Sequence, residues 1–172
     1  MKRHYAEREI NDLLKELEII TDSREQVNGH VTGYFDKHKV AHTTRKLDTG
    51  DYSAMIGEMT LEQDVVVERK ANLDEIAGNF TISRQRFEDE FTRAKADGLK
   101  VFLLIENASW SDILLHNYKS KLEPKSLIAS LLAWQVRFNI TIIFCKPTET
   151  GQIIHGILFY AAREALKRGN IA

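Results

Sequence analysis

The sequence predicts an α/β protein, a mixed β-sheet with helices on both faces. Residues 100–106 read KVFLLIE, nearly continuously apolar, the pattern of a strand covered on both sides. Residues 51–56 and 63–70 are strand-like and separated by a short stretch at 57–62, which reads as an antiparallel hairpin. Segments with apolar residues at helical spacing precede and follow these strands.

The elements follow in order. Residues 6–17 carry Ile10, Leu13, Leu14 and Leu17 among charges and read as an amphipathic helix. A short strand at 18–21 ends at Asp22-Ser23-Arg24-Glu25. Gly29 and Gly33 punctuate the next stretch, leaving a short helix at 32–37. Strands are expected at 40–47, 51–56 and 63–70. A helix at 73–77 gives way at Gly78-Asn79, and a longer one covers 83–96, closed by Asp97-Gly98. Ile82, Phe87, Phe91 and Ala94 are expected to pack one side of that helix. Beyond the strand at 100–106 come helices at 111–118 and 125–138, a strand at 140–144 and a last helix at 151–168. Pro124 and Pro147 fall at element boundaries. The organisation expected is an N-terminal helix at 1–17 and one domain over 18–172.

Composition narrows the function. The 172 residues are 43% hydrophobic and 28% charged with a formal net charge of -1, so no global basicity advertises nucleic acid. A local basic groove stays compatible with that balance. No secretory leader is read and no apolar run reaches the ~20 residues that cross a bilayer. The single cysteine, Cys145, reads as a buried strand thiol and excludes an internal disulfide, so a cytoplasmic location is expected. The six histidines lack metal-ligand spacing, so neither a zinc site nor a catalytic histidine is expected.

The chemistry concentrates in Gly50-Asp51-Tyr52, then Val65-Val66-Val67-Glu68-Arg69-Lys70, with Asp74 beyond. Strand alternation sends Glu68 and Lys70 to one face and Arg69 to the other. Charges on both faces of a buried strand's end are costly unless paired or used. Mg²⁺ and Mn²⁺ prefer hard oxygen ligands. Asp51 and Glu68 are the candidates, with Asp22 as a further ligand or a holder of the attacking water. Such a cation would activate water beside a phosphodiester, and Lys70 would stabilise developing negative charge. The blander reading is solvated charges on an ordinary hairpin, and Glu58 and Glu62 are read that way.

In combination these motifs resemble the XPF-type structure-specific endonucleases, a branch of the restriction-endonuclease-like superfamily. The resemblance rests on Asp22-Ser23-Arg24, Gly50-Asp51, Glu68-Arg69-Lys70 and Asp74, on Arg86-Phe87, and on the apolar strand ending in Glu106. It covers about residues 18 to 160 and implies a restriction-endonuclease-like sheet flanked by helices. It also implies Asp51 and Glu68 as metal ligands, Lys70 as catalytic, and Asp22 and Asp74 as supporting acids. Arg24 and Arg69 match arginines of the pattern, for phosphate contact or for ordering the acids. The implied reaction is Mg²⁺- or Mn²⁺-dependent hydrolysis of DNA, leaving a 5′-phosphate and a 3′-hydroxyl. The 172 residues leave no room for a tandem helix-hairpin-helix module or a helicase part, so the expectation is a stand-alone nuclease core like those of phages and prophages.

Arg84 and Arg86 are favoured as DNA phosphate contacts. Lys119, Lys121 and Lys125 form a second basic cluster that a plain surface turn explains. The helix at 126–138 is apolar nearly all round, and the last helix carries Ile153, Ile154, Ile157 and Leu158. Either deep burial or a homodimer interface accounts for them, and the resemblance implies the dimer. A recruiting protein partner is also allowed. The rival to an enzyme is a catalytically silent DNA- or partner-binding module on the same fold.

Overall fold

The computed structural model describes residues 4–169. The chain divides into two compact units, Met1–Val66 with Thr148–Ala172, and Val67–Pro147.

In the first unit, α1 (Glu7–Leu13) passes through a 3₁₀ turn into β1 (Leu17–Asp22). There follow α2 (Gly29–Lys37), β2 (His42–Arg45), β3 (Tyr52–Ile56), the short β4 (Met59–Thr60) and the start of β5 (Val65–Lys70). The last helix, α7 (Pro147–Arg168), returns to this unit. β1 is the organising strand: it pairs in parallel with β2, Asp22 opposite Arg45, and antiparallel with β3, Thr21 opposite Tyr52. That register brings the end of β1 beside the start of β3, and the Asp22 N–H donates to the Asp51 carbonyl at 2.7 Å. Gly50, at φ 76°, takes the left-handed turn that delivers Asp51 there, a conformation that suits glycine. The crossing of α2 and α7 depends on Gly151, where a Cβ would lie 2.5 Å from the Tyr34 Cβ.

The second unit holds the end of β5, then α3 (Leu73–Thr81), α4 (Arg84–Ala96), β6 (Lys100–Glu106), α5 (Trp110–Leu114), α6 (Pro124–Phe138) and β7 (Thr141–Cys145). β6 and β7 are parallel, with Glu106 opposite Cys145. Asn72 caps α3 by accepting the Glu75 N–H at 2.9 Å, and Gly98 at φ 74° ends α4 as the sequence suggests. The helices meet on an aromatic cluster around the fully buried Trp134. Its ring lies 4.7 Å from Phe80, 5.0 Å from Phe87, 5.4 Å from Phe91 and 5.2 Å from Phe138. Such edge-to-face and tilted pairs are favoured by the ring quadrupoles.

Among the described residues seven strands form one mixed sheet ordered β2-β1-β3-β5-β6-β7, with β4 on β3. The expected mixed sheet with flanking helices is thus found. Departures have local causes. Gly29 opens α2, Gly33 lies inside it and Gly78 lies inside α3, because each helix buries an apolar stripe, Val31 with Phe35 and Ile76 with Phe80. Tertiary packing of that kind outweighs the helix cost of glycine, about 1 kcal/mol each. The helix expected at 111–118 stops at Leu114, and residues 115–123 form a loop. Ile82 does not join the packed face of α4. It sits at the C-cap of α3 before α4 begins and is 91% exposed. Cys145 is buried, as expected.

Trp134→Ala removes the ring on which four phenylalanines converge. The expected loss is roughly 3–5 kcal/mol of unfolding free energy, read by urea denaturation of wild type and variant. A loss below about 1 kcal/mol would mean that the cluster contributes little.

Candidate nuclease site

The end of β5 carries three consecutive charged residues, and all three are buried: Glu68 at 9% exposure, Arg69 at 7% and Lys70 at 8%. Alternation sorts them as the sequence suggests. On one face the Lys70 Nζ donates to Glu68 Oε1 at 2.7 Å and lies 3.5 Å from Glu75 Oε1. It also stands 5.3 Å over the Phe87 ring, a cation–π contact. Arg69 makes a 3.0 Å ion pair with Glu106 at the end of β6. Each charge thus has a partner, which burial demands.

Glu68 and Lys70 open into a cavity of about 200 Å³ lined also by Asn79, Ser83, Arg86, Phe87 and Glu90. The wall opposite β5 comes from α3, α4 and their junction. Phe87 faces the core and anchors α4, which sets the exposed Arg86 and the half-buried Glu90 at the rim. Burial pushes the Glu68 carboxyl above its ordinary range; Lys70 opposes this, while the charges of Glu90 and Glu75 add to it. The Asn79 Oδ1 is buried with no hydrogen-bond partner among the described residues.

The acids of the first unit are arranged differently. Asp22 is 1% exposed, and its carboxylate accepts four hydrogen bonds. Oδ1 takes the Arg24 N–H at 2.7 Å and Nε at 2.8 Å, while Oδ2 takes Arg24 Nη2 at 3.0 Å and the Leu47 N–H at 2.6 Å. Arg24 reaches on to the Leu47 carbonyl at 2.8 Å. Burial alone would raise the Asp22 carboxyl; the hydrogen bonds from Arg24 and Leu47 and the guanidinium charge overcome it and hold the group below its usual range. With its lone pairs so engaged, Asp22 fits an ordering role better than that of a metal ligand. Asp51 follows the Gly50 turn, its carbonyl held by Asp22.

The remaining candidates are placed as follows. Asp74, in the first turn of α3, accepts the backbone N–H groups of Lys119 and Ser120. Arg84 is exposed and lies 3.9 Å from Glu88, which Arg137 also pairs. Arg69, buried against Glu106, is not on the surface. Glu62, read as solvated, is instead paired with Arg45 and Thr60. Sequence reading passed over Glu75, Glu90 and Asn79. Helical phase was their one signal, since Glu75 follows the Glu-Arg-Lys motif and Glu90 stands one turn beyond Arg86. Among the described residues no cluster of three or more histidine, cysteine or acidic side chains is arranged to hold a metal.

The mixed sheet flanked by helices is a restriction-endonuclease-like fold. The model of the ERCC4 domain family matches residues 21–157, and the chain belongs to that family. Its fold is that of the XPF nuclease domain. Among solved structures it is similar to XPF from Aeropyrum pernix, at 20% identity and a TM-score of 0.65, covering 86% of this chain and 66% of that one. It is also similar to XPF from Aeropyrum pernix in complex with DNA, at 21% identity and a TM-score of 0.61, covering 87% of this chain and 65% of that one. The chain therefore spans just under two thirds of each of those chains. No functionally curated protein matches it.

The Asp22 hydrogen bonds carry a pH signature. A carboxyl held low in the folded state stabilises it fully at neutral pH and loses that contribution as pH falls through the ordinary carboxylate range toward the lowered value. Asp22→Ala should therefore be less stable than wild type near pH 7, by on the order of 2 kcal/mol. The difference should shrink steadily below about pH 4. Equal stability of the two proteins at pH 7 would contradict the hydrogen-bonding role.

Proposed function

We propose that this chain is a metal-dependent DNA endonuclease that hydrolyses phosphodiester bonds, with branched, flap or junction DNA as its substrate class in repair, recombination or phage DNA processing. The observation that carries the reading is the buried Glu68–Lys70 pair at the mouth of a polar cavity with Arg86 at its rim. A burial this costly is retained where the charges are used. Family membership and the likeness to a nuclease structure that holds DNA support the same reading.

The proposed roles rest on the family pattern and on the surroundings of Glu68 and Lys70. Glu68 supplies a hard oxygen donor suited to Mg²⁺ or Mn²⁺, and the family pattern implies Asp51 as a second. When bound, the ion polarises the phosphoryl group and lowers the pKa of the attacking water. Lys70, held between Glu68 and Glu75, places a fixed positive charge where negative charge develops. Arg86 is placed to meet a phosphate, with Arg84 near the start of the same helix; Arg24 is 61% exposed and can do so while it orders Asp22. Arg69 orders Glu106 from within the core.

A homodimer is part of the proposal. α6 buries Leu127, Leu131, Trp134 and Phe138 on one side, yet leaves Leu132 47% and Val136 84% exposed. β7, at the sheet edge, leaves Ile142, Ile143 and Phe144 only half-buried. These residues support α6 and β7 as the surface for a second copy, with a recruiting protein as the other candidate occupant. α7 buries Ile154, Leu158, Ala162 and Leu166 and leaves Ile153 and Ile157 half-buried.

The test is cleavage of labelled single strand, duplex, flap, fork and four-way junction in Mg²⁺, Mn²⁺ or EDTA, wild type beside Glu68→Ala. Metal-dependent cutting by wild type, reduced at least about 10²-fold in the variant, is expected. DNA binding without cutting in any metal would favour the silent binding module.

A further inference from the structure

Asp74 lies four residues beyond Lys70, but its hydrogen bonds run away from the cavity. Oδ1 accepts the Lys119 N–H at 2.8 Å and the Ser120 N–H at 2.7 Å, both main-chain donors 45 and 46 residues on. The segment so gripped is the loop after α5. The loop is stiffened from within: the His116 ring nitrogen bonds the Ser120 carbonyl, Tyr118 donates to the Leu122 carbonyl at 2.6 Å, and Ser120 Oγ accepts the Leu122 N–H. The His116 and Tyr118 rings meet in a tilted pair with centroids 4.3 Å apart.

This stiffened loop carries Lys119 and Lys121, and Lys125 follows in the first turn of α6. All three side chains are exposed, and no ion pair to them is found among the described residues. Several other cations of this unit are already engaged. Lys70, Arg69, Arg84 and Arg137 are in ion pairs, while Lys95 and Lys100 donate to carbonyls. The acid within the cluster, Glu123, is exposed and heads α6. Three cations against two acids, Glu123 and the anchoring Asp74, on a loop with an ordered backbone, make a surface for polyanionic phosphate. The anchor lies beside the site: Glu75, the residue after Asp74, has Oε1 3.5 Å from Lys70 Nζ, and its Oε2 accepts the Ala71 N–H.

We propose that Asp74 is a positioning residue, which holds the 116–123 loop so that Lys119, Lys121 and Lys125 bind the phosphate backbone of DNA flanking the cut bond. The inference rests on the DNA-nuclease reading and gives it a second phosphate-contact surface, distinct from Arg84 and Arg86 on α4. The two Asp74 hydrogen bonds need an acceptor oxygen and no charge, so an asparagine can make them and an alanine cannot.

The test has two readouts on the intact chain: Asp74→Ala, Asp74→Asn and the triple variant Lys119→Gln, Lys121→Gln, Lys125→Gln beside wild type. Hydrogen exchange at the Lys119 and Ser120 amides reads the anchor, with the amides of β6 as the control for folding. Duplex binding in EDTA at several salt concentrations reads the phosphate contacts. Amide protection is expected to be lost in Asp74→Ala, with β6 unchanged, and restored in Asp74→Asn. In the triple variant the slope of log affinity against log salt should fall by about 0.9 for each lysine that meets a phosphate. Asp74→Ala should lower the slope in the same sense, and Asp74→Asn should recover it.

An unchanged slope in the triple variant, with wild type binding normally, overturns this assignment alone. So does an Asp74→Asn variant as defective as Asp74→Ala, since the charge and not the hydrogen bonds would then be in use. Wild type that binds neither this duplex nor a flap or four-way junction at low salt overturns the nuclease reading, and this inference with it.

Discussion

The burial of three adjacent charges at the end of β5 is the constraint on which the second unit depends. Charges removed from water are retained only with partners in place. Strand alternation divides the demand, so Arg69 needs an acid on one face and Lys70 needs one on the other. Glu106 at the end of β6 answers the first at 3.0 Å, tying together two strand ends 37 residues apart in sequence. Glu68 and Glu75 answer the second. One short motif thereby fixes the ends of two strands and the start of α3, and leaves an ammonium and a carboxylate facing a cavity. Phe87 shows the coupling of core and site, since the ring that packs on Trp134 also lies under the Lys70 ammonium.

In the first unit, order is imposed on acids by hydrogen bonds. Asp22 takes four donors and becomes the fixed point around which Arg24 and the Leu47 backbone are arranged. Its own N–H fixes the Asp51 carbonyl after the Gly50 turn. An acid engaged in this way has little left for a cation, yet its neighbour inherits a defined position. Asp74 follows the same logic on the other unit, where a motif carboxylate organises the backbone of a loop. Glu68 sits where the environment opposes its charge, through burial and the fields of Glu90 and Glu75. An environment of that kind attracts a cation or a proton.

Much of this was legible in the sequence, for identifiable reasons. β6 and β5 announce themselves because a short apolar run bounded by charges suits a buried strand and little else. The opposite facing of Arg69 against Glu68 and Lys70 follows from a period of two. Gly98 was legible as a cap because it follows an acid-and-base-rich helix directly. The glycines of α2 and α3 misled, because the apolar stripes that outweigh them find their partners far away in the chain. Ile82 misled for a related reason: the break between α3 and α4 shifts its phase. The partners of Arg69 and Asp74, and the Leu47 donor to Asp22, were out of reach for the same reason, since they lie 37, 45 and 25 residues away. Sequence names the charges; only the fold names what each one holds.

We propose that Lys70, besides pairing Glu68 and Glu75, acts in the chemistry rather than in DNA affinity. The direct measurement is single-turnover cleavage of a preformed complex with the preferred DNA, started by adding Mn²⁺, for wild type and Lys70→Met. The predicted rate is lower by on the order of 10²–10³-fold in the variant, at unchanged DNA affinity and with the fold intact. Cleavage by Lys70→Met at the wild-type rate, or cutting by wild type that ignores the metal, would contradict that claim.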